Sequence, residues 1–347
     1  MCPEKGEFIM KKLLAVLLAA VMVLSLAACG AKAETTTSDA AADTSATASS
    51  VDTDTVAIGA VVIARDDIPE DEIYNFVSTI YENADAITEQ HAKGEELDLE
   101  FASSITSVPY HPGAAKYFEE KGYKVAAVKD GAGTGDARDL LFGTGGESGT
   151  YYAYGGVLAS YVSGKVDNSV TALTSGGSQA NIEDLIADNV QIGFTQSDVM
   201  AYAYNGERLF DAPVEGFSVV CSLYMEQVQI VTTDASIKTV ADLKGKNVSI
   251  GASGSGTYFN AIDALTAYGM TEDDINSVYQ SFGDSAESLK DGKIDAAFIV
   301  AGAPTTAITD LATAKPVYLV GFDKEYSDKL IAASPYYTAY TIPAGTY

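Results

Sequence analysis

The chain has 347 residues, 47% hydrophobic and 20% charged, enough to bury a sizeable core and to divide it between two lobes. Its formal net charge of −27 excludes nucleic acid as a partner. An anionic small ligand stays open, because local dipoles rather than total charge set the field inside a cleft.

Lys11 and Lys12 precede an apolar run from Leu13 to Ala28, too short and too weakly flanked for a stable membrane span. The run ends in Leu26, Ala27, Ala28, Cys29 and Gly30, which resembles the lipobox of bacterial lipoproteins. Residues 1–28 are therefore expected to be a lipoprotein signal peptide, with Met10 a more natural start than Met1 and Cys29 the lipidated residue. The expected location is the outer face of the cytoplasmic membrane. A plain secretory signal with an incidental cysteine is the alternative. Residues 29–50 are dominated by Ala, Thr, Ser and Asp without apolar periodicity, and read as a disordered tether. Only Cys221 would remain beside the lipidated Cys29, which leaves no internal disulfide.

Val56 to Ala64 is a β-rich run. Ile68 and Pro69 then open a helix with Ile73, Phe76, Val77, Ile80 and Tyr81 on one face and acids in its first turn. A second helix is expected from about Ala114 to Lys121. His91 and His111 are the two histidines; His111, between Pro109 and Pro112, reads as structural rather than catalytic. Lys129 to Arg138 contains three alternating glycines and reads as a flexible linker. It is not a dinucleotide loop, because no firm strand precedes it and Asp136 stands where the last glycine would be.

Leu140, Leu141 and Phe142 form an apolar run that stops at Gly143, Gly145, Gly146 and Gly149, followed by a helical pattern through Val157, Leu158 and Tyr161. The arrangement recurs with a strand at Ser169 to Leu173, a glycine turn at Ser175 to Ser178 and a helix at Ile182 to Ala187. A third strand, Gln191 to Thr195, runs into Gln196, Ser197 and Asp198. Strands alternating with helices predict a parallel sheet with ligand loops at the carboxyl ends of its strands. Glycine turns at helix starts suit carboxylate or phosphate. One such turn alone is an ordinary βα connection; three in succession point to a binding site.

Val219 to Thr232 is strand-like, Ser236 to Gly245 a short helix and Asn247 to Gly251 a strand. A second polar glycine loop then feeds a helix. Ala286 to Leu289 belong to another helix, and Ala296 to Val300 form a strand that ends at Ala301, Gly302, Ala303 and Pro304. The two α/β units are expected to close as a clamp about a hinge near Val219 to Met225 and Pro316 to Val320.

Six stretches carry a family resemblance: GTGGESGTYYAYGG from Gly143, TSGGSQAN from Thr174, QSDVMAYAYNG from Gln196, SIKTVADLKGKNVSIGASGSGT from Ser236, DGKIDAAFIVAGAP from Asp291 and YYTAYTIPAGTY from Tyr336. In order and spacing they resemble the TAXI receptors of tripartite ATP-independent periplasmic (TRAP) transporters, over nearly all of Leu140 to Tyr347. The resemblance implies an α/β, two-lobed type II periplasmic-binding-protein fold (a Venus-flytrap clamp). It also implies a monomer that takes glutamate, glutamine or a C4–C5 dicarboxylate and delivers it to a TRAP permease, with no cofactor or metal. It assigns Gly146, Ser148, Gly149, Thr150 and Tyr151 to a first ligand loop, Gly177, Ser178, Gln179 and Asn181 to a second, and Gln196, Ser197 and Asp198 to a third. Asp198 is a partner for a ligand ammonium or, equally, a helix cap; Tyr151 is a ligand contact or core. From the other lobe come Ser253, Gly254, Ser255, Gly256 and Thr257 at a carboxylate-binding helix start, with Gly302 and Ala303 on the closing edge.

The order of segments departs from the family. Residues like Thr55 to Asn83 and Val108 to Gly122 there follow the stretch that ends here at Tyr347. The chain therefore resembles a circular permutation, with residues 51–122 as a moved part of lobe 1 and 123–139 as linker. Residues 140–222 are then lobe 1, 223–317 lobe 2 and 318–347 a return to lobe 1. A gene rearrangement giving a nonfunctional product, or a sensing lipoprotein uncoupled from transport, are the alternatives. An enzyme is not expected. Gly146 to Thr150 lacks the final glycine of a nucleophile elbow, no phosphate-binding P-loop triplet exists, and no Cys/His cluster has metal-ligand spacing.

Overall fold

The computed structural model describes residues 51–347; the signal peptide, Cys29 and the tether of residues 29–50 lie outside the described residues. Strand β1, Thr53–Arg65, is thirteen residues long and nearly all buried, as a strand covered on both faces requires. Helix α1, Glu70–Glu82, follows Pro69 and carries Glu70, Asp71 and Glu72 in its first turn, where the helix dipole favours negative charge. Its buried face is Ile73, Phe76, Val77 and Ile80. Helix α2, Pro112–Glu120, starts at His111, whose Nδ1 accepts the Gly113 N–H at 3.2 Å while Nε2 lies 3.0 Å from the Ile68 carbonyl. Burial pushes this imidazole down to about 4, so His111 is a neutral structural group.

The linker expectation for residues 129–138 is corrected. Gly133 donates to the Asp66 carbonyl at 2.8 Å and accepts from Glu70 N–H at 3.1 Å. A side chain at Gly135 would begin 1.8 Å from the Asp67 carbonyl oxygen. These glycines admit close backbone packing against the start of α1 rather than flexibility.

The remaining strands are β2 Leu140–Gly143, β3 Val170–Leu173, β4 Ile192–Gln196, β5 Phe217–Thr232, β6 Asn247–Ser249, β7 Asn276–Val278, β8 Ala296–Ala301, β9 Tyr318–Leu319 and β10 Thr338–Ile342. The helices between them are α3 Thr150–Ser163, α4 Ser178–Ile186, α5 Ser197–Asn205, α6 Gly256–Ala267, α7 Phe282–Asp291, α8 Thr306–Ala314 and α9 Lys324–Ala333. The short helix expected at 236–245 is a single 3-10 turn, Val240–Leu243, with Thr239 and Asp242 as its capping box.

One ten-stranded sheet runs β3-β2-β4-β1-β5-β8-β6-β7, with β10 added to β1 and β9 to β5. Each half repeats one plan. Strands β3-β2-β4 are parallel and meet antiparallel β1; β7-β6-β8 are parallel and meet antiparallel β5. This is the two-lobed α/β clamp that the sequence led us to expect. One apolar cluster fills the first lobe around Phe76, Phe142 and Phe194, and two others flank the second lobe's sheet.

The lobes are joined by two strands. Residues 217–227 of β5 pair β1, and residues 227–232 pair β8. Strand β1 sends Val61 to Ala64 into the first core and Val56 and Ile58 into the second. The hinge expected at Pro316 to Val320 is therefore corrected to β1, because Val317 and Val320 both lie in second-lobe cores. The return of residues 318–347 to lobe 1 is corrected for the same reason. Phe322, Leu330 and Tyr337 pack with Val248 and Ile250, and Tyr347 packs with Ala297 and Ile308. Strand β10 runs antiparallel to β1 with Ile342 opposite Thr53, and Ala344 N–H donates to Asp52 at 2.9 Å.

Candidate functional site

The glycine turns after β2, β3 and β6 launch α3, α4 and α6, starting from Gly149, Gly177 and Ser255, and no side chain caps any of the three helices. The φ of +107° at Gly177 is a conformation that a side chain strongly disfavours. All three helix starts line one cavity of about 80 Å³ between the lobes. Uncapped first-turn N–H groups and the aligned dipoles make its wall a binder of negative charge.

The floor is aromatic and acidic. Phe194 stacks on Phe142 at 4.9 Å and on Tyr151 at 4.6 Å, the latter pair within 7° of parallel. Tyr151 then donates its hydroxyl to Glu226 Oε2 at 3.2 Å, so it is both core and cavity wall. Glu226 is 2% exposed. Burial pushes its carboxyl up to about 8, against hydrogen bonds from Gln196 and Tyr151 and the nearby Lys93 ammonium. Lys93 is itself buried, ion-paired to Glu96 and 5.4 Å from the Tyr224 ring centroid. Gln196 Oε1 and Ser255 Oγ are buried without a hydrogen-bond partner among the described residues.

The lobes touch around this cavity. Ala180 N–H donates to the Gly254 carbonyl at 3.0 Å, Ala307 N–H to Ser148 at 3.2 Å and Thr150 Oγ1 to Gly302 at 3.0 Å. The described state is thus a closed clamp. Its cavity is smaller than the roughly 150 Å³ that accommodates benzene, so an amino acid the size of glutamate enters only when the lobes stand further apart.

Of the residues singled out in the sequence, Gly146, Gly149, Thr150 and Tyr151 line the cavity, as do Gly177, Ser178 and Gln196, and Ser255, Gly256 and Thr257 opposite. The others lie elsewhere. Ser148, Gly254 and Gly302 supply the carbonyls that join the lobes, and Ala303 N–H donates to Gln227 at 2.7 Å. Ser253 sits behind Gly176, and Ser197 packs near Gly59. Gln179 bonds Glu183 on the surface. Asn181 donates to the Thr144 and Phe194 carbonyls at 2.7 and 2.8 Å, inside lobe 1.

Asp198 does not reach the cavity either. Its carboxylate takes Val199 N–H at 2.7 Å and Asn260 Nδ2 at 3.1 Å. Burial pushes it up to about 7 against that Val199 bond. Asn260 also donates to Tyr337, Tyr337 to Asp263 at 3.0 Å, and Arg208 pairs with Asp263 at 2.6 Å. Asp198 therefore belongs to a buried polar contact between α5 and α6 rather than to the ligand. Sequence reasoning missed Glu226, Ser281 and Phe282, which line the cavity. Ser281 carried a readable signal, since its side chain caps α7 through Asp284 N–H.

A family model described as the NMT1-like family matches residues 26–122 and 142–347. The chain belongs to the NMT1-like family. Among solved structures, this NMT1-like chain is similar to the periplasmic aliphatic sulphonate binding protein SsuA from Escherichia coli, at 19% identity over 54% of this chain and 60% of that one, TM-score 0.34. It is also similar to the alkanesulfonate-binding protein SsuA from Xanthomonas axonopodis pv. citri bound to MOPS, at 18% over 54% and 62%, TM-score 0.37. A third is an ancestral arginine-binding protein bound to arginine, at 16% over 53% and 79%, TM-score 0.38. The chain spans about 60% of the length of the two sulfonate-binding proteins. Among the described residues no helix is long and apolar enough to cross a membrane.

Proposed function

We propose that this NMT1-like chain is an extracytoplasmic solute-binding receptor that closes on a small organic acid or amino acid, of the glutamate, glutamine or C4–C5 dicarboxylate class. The observation that carries the reading is the convergence of three uncapped helix starts, from both lobes, on one cavity. Binding there needs no reacting group: the cavity wall offers N–H dipoles, hydroxyls and a carboxyl. A thermal-shift screen of such acids and amino acids tests it, because a solute that binds only the folded state raises the melting temperature. The screen is expected to yield at least one, and a flat response across the panel counts against the receptor.

Delivery to a TRAP permease is supported by the TAXI-like motifs, and anchoring at Cys29 by the lipobox. Cys29→Ala is expected to release the protein from the membrane or stall its precursor. A variant processed and retained like the parent contradicts the anchor.

The circular permutation is supported by the antiparallel pairing of β10 with β1, which has the register of a hairpin across residues 343–347 and 51–52. It is supported also by β1 lying between β4 and β5 in the middle of the sheet. Moving residues 51–122 behind Tyr347 through a short linker is expected to preserve the thermal shift, with stability changed by about 1 kcal/mol of loop closure. A reordered chain that does not fold contradicts it.

A further inference from the structure

Strand β5 carries one carboxyl group into the cavity. Glu226 sits where β5 leaves the first lobe for the second, between Met225, paired to Gly59, and Gln227, paired to Ala301. Ile58 of β1 lies opposite it, and polar or charged groups of several other segments act on it. Tyr151 of α3 donates to it, Gln196 at the end of β4 favours its ionised form, and Asp198 of α5 is a like charge. Tyr224 lies two residues back on the same strand. The nearby cation, Lys93, is already paired with Glu96.

The same wall holds two buried polar atoms without a partner among the described residues, the acceptor Gln196 Oε1 and the Ser255 hydroxyl, which can donate or accept. Buried acceptors without partners are costly. The molecule that completes this wall must bring a hydrogen-bond donor to Gln196 Oε1, whereas the helix starts and the Ser255 hydroxyl supply donors for its negative end.

We propose that Glu226 receives the α-ammonium of an amino acid whose carboxylate lies at the helix starts, so that the site selects zwitterionic amino acids over the matched acids that lack the amine. This rests on the receptor reading above. Burial in the empty site pushes this carboxyl towards its protonated form. When the ammonium arrives, Glu226 ionises and its proton passes to solvent, while the ligand nitrogen keeps its own three.

The test is calorimetric titration of the purified protein and of Glu226→Gln with matched pairs: L-glutamate and glutarate, L-aspartate and succinate, L-alanine and propionate. In the parent protein the best amino acid is expected to bind at least about tenfold more tightly than its amine-free partner. That affinity is expected to rise between about pH 6 and pH 8, by no more than about tenfold per pH unit for one proton. The binding heat is expected to depend on the buffer's ionisation enthalpy with the sign of proton release, a readout that needs no variant. Glu226→Gln, with a parental melting curve, should lose both the preference and the pH dependence. An amine-free acid that binds as well as its partner, or an affinity that falls as pH rises, overturns the assignment of Glu226 and leaves the receptor intact. No binding by any of the six overturns both.

Discussion

Replacing Phe194 by alanine is expected to lower stability by about 3–5 kcal/mol and the melting temperature by on the order of 10 °C. Phe194 is fully buried on β4, stacked between Phe142 and Tyr151 and 6.4 Å from the Tyr224 ring. Strands β2 and β4 and helix α3 are fixed around it, so the space left behind cannot collapse without moving a ligand loop. The loss should therefore extend to the site, because Tyr151 keeps its place over Glu226 by lying on that ring. Denaturant unfolding of the variant beside Leu209→Ala, a change at an exposed position, separates the core effect from a generic one. A cost under about 1 kcal/mol would mean that the aromatic stack does not hold the first lobe together.

The second large effect is expected at Gly256, and on binding rather than folding. It is the first residue of α6, and a Cβ there would lie 1.9 Å from Gln196 Oε1 and 2.7 Å from Ser178 Oγ. Both neighbours belong to the other lobe, so Gly256→Val acts as a wedge only when the clamp is shut. When the lobes part, Gln196 and Ser178 move away with the other lobe and the branched side chain no longer meets them. Overpacking of about 1–3 kcal/mol in the closed state alone weakens solute binding by about ten- to a hundredfold while leaving the melting of the solute-free protein nearly unchanged. Parental affinity in Gly256→Val would show that solute binds without the contact between Gln196 and Gly256.

Much of each lobe was legible because its signals are local. Leu140 to Phe142, Gly149 and the pattern through Leu158 announce strand, turn and helix within twenty residues, and Ser178 and Gly256 mark helix starts in the same way. Ten of the nineteen residues that the family resemblance assigned to the ligand loops and closing edge line the cavity. What escaped depends on partners far along the chain. Asp198 stands in the first turn of a helix beside a ligand loop, but Asn260, 62 positions later, captures it. Glu226 lies inside an apolar run that reads as any long strand, and nothing nearby tells that this strand passes under the cleft from one lobe to the other. Glycines at 133 and 135 have the composition of a linker; only the Asp66 and Asp67 carbonyls against them reveal close packing.

A clamp that closes on a solute must become more compact when it binds, because the solute touching both lobes favours the closed arrangement over the open one. Small-angle scattering of the protein, with and without a saturating solute identified by its thermal shift, reads this directly. The expected result is a smaller radius of gyration with solute, approaching that of the closed form joined through Ala180 and Gly254, Ser148 and Ala307, and Thr150 and Gly302. An unchanged radius at saturation, with binding verified in the same sample, would contradict closure between the lobes.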